Sequence, residues 1–137
     1  KGPLVLWDGV FELLYSENRG AAFGMLQGRQ GFFLCVALAV FFFVVYTAVK
    51  LPARKRYVPM ELCLTMIMAG AAGNLIDRAA RGYVVDFLYF KLIDFPVFNV
   101  ADCYVTIATA VLFVLILFVY KEDELGFFKV WEKRPDI

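Results

Sequence analysis

The feature that most constrains this chain is a long run without a charged side chain, FFLCVALAVFFFVVYTAV, at residues 32–49. At about 1.5 Å of rise per residue, a helix of this length crosses the roughly 30 Å hydrocarbon core of a bilayer. Two more apolar runs occur at residues 59–76 and 103–120. Because 62% of the 137 residues are apolar, the sequence predicts a mainly α membrane protein built as an antiparallel transmembrane helix bundle.

The predicted organisation is a single integral membrane domain over residues 1–137. Basic residues are concentrated in the link between the first two spans, which marks that link as cytoplasmic. The sides of the membrane then follow by alternation. The predicted segments are extracytoplasmic strands and a loop at 1–30, transmembrane helices at 31–50, 58–77 and 99–120, an extracytoplasmic link at 78–98 and a cytoplasmic tail at 121–137.

Charge and cysteine content exclude several classes of partner. The net charge is +1 and the sequence has no extended basic tract, so no nucleic-acid partner is expected. The three cysteines have no histidine and no CxxC spacing beside them, which indicates neither a disulfide framework nor a zinc site. Membrane lipids are the partners that composition alone predicts.

Two segments outside the apolar runs are predicted to form a small extracytoplasmic sheet on the outer leaflet. LVLWDGVFELLY at residues 4–15 has β-forming residues around Asp8-Gly9, a signal for a two-residue hairpin turn. YVVDFLYF at residues 83–90 is rich in aromatic and β-branched residues. Strand alternation puts Asp86 on the same face as Val84 and Leu88, where it could point towards the bundle.

Polar side chains occur at helical spacing at the ends of the second and third spans. Asn74, Asp77 and Arg78 are separated by three and four residues, which places them on one helix face in line with Gly70 and Gly73. Small residues at such positions favour close packing against a neighbouring helix. We therefore expect this polar face to meet another helix.

A second polar stripe runs along the third span through Asn99, Asp102, Thr106 and Thr109. Several interpretations of the two stripes remain open. They could form a structural cluster, with Asp77 paired to a nearby arginine and Asn99 or Asp102 as a helix N-cap. Carboxylates from separate elements could instead share a proton and activate water, as in aspartic proteases. A proton-coupled transporter or a non-catalytic membrane subunit with a polar core fits equally well at this point.

Four short motifs resemble, in order, the signatures of the lipoprotein signal peptidase family, also called signal peptidase II. They are ENRGAAFG at 17–24, GNLIDR at 73–78, GYVVDFL at 82–88 and PVFNVADC at 96–103. The resemblance implies an intramembrane aspartic endopeptidase of the bacterial inner membrane with its active site at the extracytoplasmic face. Such an enzyme removes the signal peptide from diacylglyceryl-modified prolipoproteins by cleaving just before the lipidated cysteine. The alternative is a small transporter or a non-catalytic subunit.

The resemblance also implies roles for individual residues. Catalytic roles fall on Asp86 and Asp102, substrate-binding roles on Asn18, Asn74, Arg78 and Asn99, and supporting roles on Asp77, Gly20 and Gly73, with Asp77 expected to support Arg78. No metal or cofactor is implied. The implied partners are lipidated prolipoproteins and peptide inhibitors of the globomycin type. Since family members have four spans, we also expect a first span that is missing from this sequence.

Overall fold

Three long helices dominate the computed structural model, which describes residues 2–20 and 29–128. Helix α1 is Gln30–Lys50, α2 is Val58–Arg81 and α3 is Val100–Val114, which continues as a π-helix over Leu115–Val119. Each of these three helical segments is long and apolar enough to cross a membrane. Short 3-10 helices lie at Lys55–Tyr57, Lys91–Ile93 and Asp123–Phe128. The predicted mainly α membrane fold is confirmed.

The end of α2 differs from the sequence prediction. The helix continues through Arg81, one turn beyond the predicted end at residue 77, because Ala79 and Ala80 favour helix. It stops at Gly82, whose φ of 76° is left-handed and whose N–H donates to the carbonyl of Arg78 at 3.0 Å. Arg78 therefore lies on the helix and not in the following link.

The strands form one antiparallel sheet in the order β1, β2, β3, which confirms the predicted small sheet. Strand β1 is Leu4–Trp7, β2 is Phe11–Asn18 and β3 is Val84–Phe90. The pairing of β2 with β3 joins segments from opposite sides of α1 and α2 in the sequence. It brings Ser16 opposite Asp86 and Asn18 opposite Val84, so the end of β2 lies beside the start of β3.

The β1–β2 hairpin turns where Asp8-Gly9 predicted it. The N–H of Val10 donates to the carbonyl of Trp7 at 2.9 Å, and Gly9 has a φ of 71° that suits glycine. The loop is one residue longer than the predicted two-residue turn, because Trp7 pairs with Phe11. The register also shifts between Val5 and Trp7, where β1 has a bulge. A bulge of this kind increases the local twist of the hairpin.

Helices α2 and α3 approach each other most closely at Gly70. A Cβ atom at Gly70 would lie 2.5 Å from the carbonyl oxygen of Ala101 and 2.6 Å from Cγ2 of Val105. A Cβ at Gly73 would lie 3.5 Å from Cβ of Ala101, which is an ordinary contact. The predicted close packing is therefore required at Gly70 and not at Gly73. This contact sets the distance between the polar stripes of the two helices.

The end of α2 away from the sheet is held by a cluster of Arg56, Tyr57, Tyr120 and Glu124, here called the distal cluster. Arg56 Nε donates to Glu124 Oε1 at 2.8 Å, and Arg56 Nη2 donates to the carbonyl of Val119 at 2.8 Å. The Tyr57 hydroxyl donates to the carbonyl of Glu124 at 2.7 Å, and the Tyr120 hydroxyl donates to the carbonyl of Arg56 at 2.9 Å. These bonds connect the start of α2 to the segment after α3.

Candidate active site

The first turn of α3 is fixed by a reciprocal pair of hydrogen bonds between Asn99 and Asp102. Asn99 Oδ1 accepts from the backbone N–H of Asp102 at 2.9 Å, and Asp102 Oδ2 accepts from the backbone N–H of Asn99 at 3.1 Å. This is a capping box, which satisfies two N–H groups that a helix start leaves without partners. The alternative that Asn99 serves as an N-cap is thus confirmed, and the cap fixes the direction of both side chains.

The remaining atoms of these two side chains connect three elements of the fold. Asn99 Nδ2 donates to Asn74 Oδ1 and to Asp86 Oδ1, each at 3.0 Å. Asn74 Nδ2 donates to Asp102 Oδ1 at 3.1 Å. Asp86 on β3 and Asp102 on α3 are therefore joined through the two asparagine amides, with Asn74 contributed by α2. The sequence predicted that these four residues come together, and the geometry brings them together.

Asp86 is buried, with 3% of its surface exposed. Burial raises the pKa of its carboxyl group to about 6, and the nearby charge of Asp102 adds to the increase. Hydrogen bonds from Asn18 and Asn99 and the positive charge of Arg78 act in the opposite direction. The result is a carboxyl group that holds its proton at a higher pH than an ordinary aspartate, as active-site carboxyl groups commonly do.

Arg78 connects α2 to the end of β2. Its Nη2 donates to the carbonyl of Gly20 at 2.8 Å, and its guanidinium carbon lies 4.5 Å from the centre of the Phe33 ring on α1. The N–H of Gly20 in turn donates to Oδ1 of Asn18 at 2.9 Å. Asn18, Gly20 and Arg78 thus form one side of the polar cluster, and the contribution of Gly20 is made by its backbone.

Asp77 lies next to the polar cluster and contacts both Arg81 and the backbone of β3. Its Oδ2 accepts from the backbone N–H of Val85 at 3.1 Å, and its Oδ1 lies 3.8 Å from Nε of Arg81. The proposed ion pair with Arg81 is confirmed. These contacts favour support of β3, immediately before Asp86, while support of Arg78 by Asp77 stays a prediction.

The polar cluster opens into a cavity of about 610 Å³. Its polar lining residues are Asn18, Asn74, Arg78, Asp86 and Asp102. The larger part of the lining, here called the apolar wall, contains Val84, Phe90, Ile93, Phe95, Pro96, Val97, Phe98 and Ile107, with Cys103 and Thr106 from α3. The apolar wall was not predicted from the sequence. Its signal was the aromatic and proline content of residues 90–98, directly before the polar residues of α3.

Cation ligands do not gather at this site or elsewhere in the described chain. Within residues 2–20 and 29–128, no group of three or more His, Cys, Asp or Glu side chains is arranged to hold a metal ion. The chemistry that the described groups can perform is proton transfer by two carboxyl groups and hydrogen bonding by amides and a guanidinium. A peptide backbone offers suitable partners for each of these groups.

Two solved structures described as bacterial membrane enzymes share this architecture. One, determined in meso at 2.3 Å, has a TM-score of 0.76 and 27% identity and covers 98% of this chain and 77% of its own. The other, at 1.9 Å, has a TM-score of 0.72 and 29% identity and covers 86% of this chain and 76% of its own. The fold, with the linked carboxyl groups of Asp86 and Asp102, therefore defines a multi-pass membrane enzyme.

Residues 1–118 match the family profile described as signal peptidase (SPase) II, and the chain belongs to that family. A relative named lipoprotein signal peptidase from Caldanaerobacter subterraneus subsp. tengcongensis is 48% identical over 109 residues, which are 79% of this chain and 72% of the relative. One with the same name from Clostridioides difficile is 45% identical over 111 residues, 81% of this chain and 73% of the relative. The resemblance found in the motifs is confirmed, and a transporter or a non-catalytic subunit is not favoured.

Proposed function

We propose that this chain is an aspartic endopeptidase that removes the signal peptide from diacylglyceryl-modified prolipoproteins by cleaving just before the lipidated cysteine. Membership of the signal peptidase II family supports the removal of signal peptides. The observation that carries the assignment of residues is the link between Asp86 and Asp102 through Asn99 and Asn74 at one wall of a cavity. We assign the two catalytic roles to these aspartates.

In the proposed reaction a water molecule lies between the two carboxyl groups. Both oxygens of Asp102 accept N–H hydrogen bonds, an arrangement suited to a carboxylate that takes a proton from the water. Asp86, whose pKa is raised to about 6, donates its proton to the carbonyl oxygen as the water attacks, which gives a gem-diol intermediate. Asp102 then passes the proton that it took from the water to the leaving amine, and Asp86 takes a hydroxyl proton back from the intermediate. The peptide C–N bond breaks, and the water oxygen becomes part of the new carboxylate.

Arg78 and the asparagines Asn18, Asn74 and Asn99 are proposed to bind the substrate backbone. An extended peptide near hydrocarbon has amide groups that need hydrogen-bond partners, and Asn18, Asn74 and Arg78 provide donors and acceptors in the lining of the cavity. Asn99 is buried, and its amide holds Asn74 and Asp86 in place. The apolar wall of the cavity suits the hydrocarbon of a lipidated substrate. Peptide inhibitors of the globomycin type are expected to occupy the same cavity.

The proposed location is the bacterial inner membrane, with the cavity at the extracytoplasmic face. Arg54, Lys55 and Arg56 support this orientation, because they cluster at the end of the bundle away from the cavity. The sheet would then rest on the outer leaflet, where the apolar side chains of Leu4, Leu6 and Trp7 on the exposed β1 strand can contact lipid.

The direct test is incubation of the purified chain with a diacylglyceryl-modified lipopeptide, followed by mass spectrometry of the products. Asp86→Asn and Asp102→Asn should each lower kcat by at least about 100-fold, because an amide cannot exchange the proton. Asp77→Asn is the matched control, since an Asn at this position still offers an oxygen to the N–H of Val85. It should impair cleavage less. Full activity of both Asp86 and Asp102 variants would refute the aspartic mechanism.

A further inference from the structure

The apolar wall of the cavity is formed mainly by one loop, residues 91–98, here called the 91–98 loop. It leaves β3 through the 3-10 turn Lys91–Ile93 and returns to β3 at Phe98. At its base, Leu88 N–H donates to the carbonyl of Phe98 at 2.8 Å, and Phe98 N–H donates to the carbonyl of Leu88 at 3.0 Å. The residue after Phe98 is Asn99, so the base of the loop is attached to the polar cluster.

Several large apolar side chains of this wall remain exposed. Phe90, Ile93 and Phe95 are 42%, 68% and 41% exposed, and all three line the cavity. The Phe95 ring packs edge-on against Phe98 with centroids 5.6 Å apart, and Phe90 stacks on Phe98 at 5.8 Å. Ligand-binding cavities are usually lined by aromatic and aliphatic side chains with a few convergent polar groups. The exposed apolar wall therefore suits the hydrocarbon part of a ligand.

The position of this wall depends on Asp94, which lies between Ile93 and Phe95. Asp94 has a φ of 46° and a ψ of 44°, a left-handed conformation that few residues other than glycine, asparagine and aspartate adopt. Its Oδ1 accepts a hydrogen bond of 2.5 Å from the hydroxyl of Tyr89 on β3. This bond raises the pKa of Tyr89, as expected for a phenol that donates to a carboxylate.

A second contact holds the start of the loop. Lys91 Nζ lies 3.6 Å from Oε2 of Glu12, a buried carboxylate on the central strand β2. The N–H of Leu92 also donates to the carbonyl of Val10 at 3.3 Å. With the base fixed at Phe98 and the start fixed on β2, two contacts hold the middle of the loop. One is the backbone hydrogen bond from the N–H of Phe95 to the carbonyl of Phe90 at 3.2 Å, and the other is the side-chain bond between Tyr89 and Asp94.

We infer that Tyr89 and Asp94 are positioning residues that hold Ile93 and Phe95 in the cavity wall, where these side chains contact substrate hydrocarbon next to the cleaved bond. The inference rests on the proposed function and extends it to substrate specificity. The hydrocarbon has two possible sources, the acyl chains of the diacylglyceryl group and an apolar side chain of the signal peptide. Neither Tyr89 nor Asp94 takes part in the chemical step.

The test separates binding from catalysis in three variants. Tyr89→Phe and Asp94→Gly remove the donor and the acceptor, and each should raise KM about three- to tenfold with kcat near the parental value. Glycine readily adopts the left-handed conformation, so Asp94→Gly should keep or increase thermal stability in detergent while KM rises. Asp94→Asn is the matched control, because asparagine also adopts this conformation and its oxygen can accept from Tyr89. Its KM should stay within about twofold of the parental value.

Two substrate series identify the source of the hydrocarbon. One series shortens the acyl chains, and the other replaces the apolar residues before the cysteine with alanine. The KM penalty of Tyr89→Phe should shrink in the series that removes the group in contact with the wall. Parental KM values in both Tyr89→Phe and Asp94→Gly, or a penalty that persists in both series, would overturn the inference while the proposed function stands. Failure of the parental chain to cleave would overturn the proposed function as well.

Discussion

Asp86 connects the chemistry of the site to the stability of the fold. Its pKa rises from 3.8 to about 6 on folding, so the folded state binds more protons than the unfolded state between these values. The contribution of Asp86 to stability is therefore complete below about pH 4 and is lost as the pH rises through about 6. We expect the thermal midpoint in detergent to fall over this range, and Asp86→Asn to reduce the fall. Equal slopes for the two proteins would contradict the assigned pKa.

Arg78 offers a test at the scale of a single side chain. Arg78→Lys keeps the positive charge but loses the planar donors that reach the carbonyl of Gly20 and the flat group that stacks on Phe33. We expect at least a tenfold loss of kcat/KM in the lipopeptide assay, about 1.4 kcal/mol or more in transition-state stabilisation. Arg81→Lys is the control, since Arg81 is half exposed and its ion pair among the described residues is with Asp77. Parental activity of Arg78→Lys would exclude a positioning role.

Much of the candidate site could be predicted from the sequence, because it depends on helical spacing. Asn74 and Arg78 share a face of α2 by their separation of four residues, and the Asn99–Asp102 pair has the spacing of a capping box. The contact of Asp77 with the N–H of Val85 could not be predicted in this way. It depends on where β3 docks against the end of α2, which is a tertiary contact with no periodic signal.

At the scale of elements, the α2–α3 contact determines whether Asn74 reaches Asp102. Gly70→Ala would place a methyl group 2.5 Å from a backbone oxygen of Ala101, which neither helix can relieve without moving. We expect a loss of about 1–3 kcal/mol in stability and a drop in kcat, because the helices must separate one turn below Asn74. Measurements of thermal unfolding and lipopeptide cleavage check both effects.

Gly73→Ala is the matched control on the same face of α2. Its new Cβ would make only an ordinary contact at 3.5 Å, and alanine favours helix over glycine by about 1 kcal/mol. The variant should be as stable as the parental chain or more stable, with unchanged activity. If both alanine variants behaved alike, the close approach at Gly70 would not limit the packing of α2 on α3.

The element boundaries show where sequence patterns stop being informative. The charged residues Asp77 and Arg78 suggested the end of a span, yet the backbone stays helical until Gly82. The 91–98 loop had no assigned structure because its shape comes from the left-handed Asp94 and from pairing with Leu88. Hydrophobicity reports which solvent surrounds a segment, whereas caps and long-range bonds decide where a helix ends.

At the scale of the whole molecule, different polar interactions connect the helices at the two ends of the bundle. The hydrogen bond from Asn74 to Asp102 joins α2 and α3 at one end, and the distal cluster joins the same helices at the other through Arg56 and Glu124. Glu124→Gln should lower the thermal midpoint by no more than about a few degrees, since a partly exposed ion pair contributes little to stability. Its kcat/KM should match the parental value.

Lys55→Gln serves as the comparison for the distal cluster. It removes a charge from the same 3-10 turn without changing the atoms of the Arg56–Glu124 pair. Its thermal midpoint should stay close to that of the parental chain. A loss of cleavage activity in Glu124→Gln, with stability retained, would show that the two ends of the bundle are coupled in function.

The Asn99 amide has a consequence for how such an enzyme is made in the cell. Its oxygen starts α3, and its nitrogen bonds to Asn74 on α2 and Asp86 on β3, so one amide group connects three successive elements of the chain. A nascent chain in which α3 has not yet entered the bilayer has Asp86 but lacks the amide and Asp102 beside it. On the proposed mechanism, which needs both Asp86 and Asp102, peptidase activity would begin only when α3 docks on α2 and the sheet.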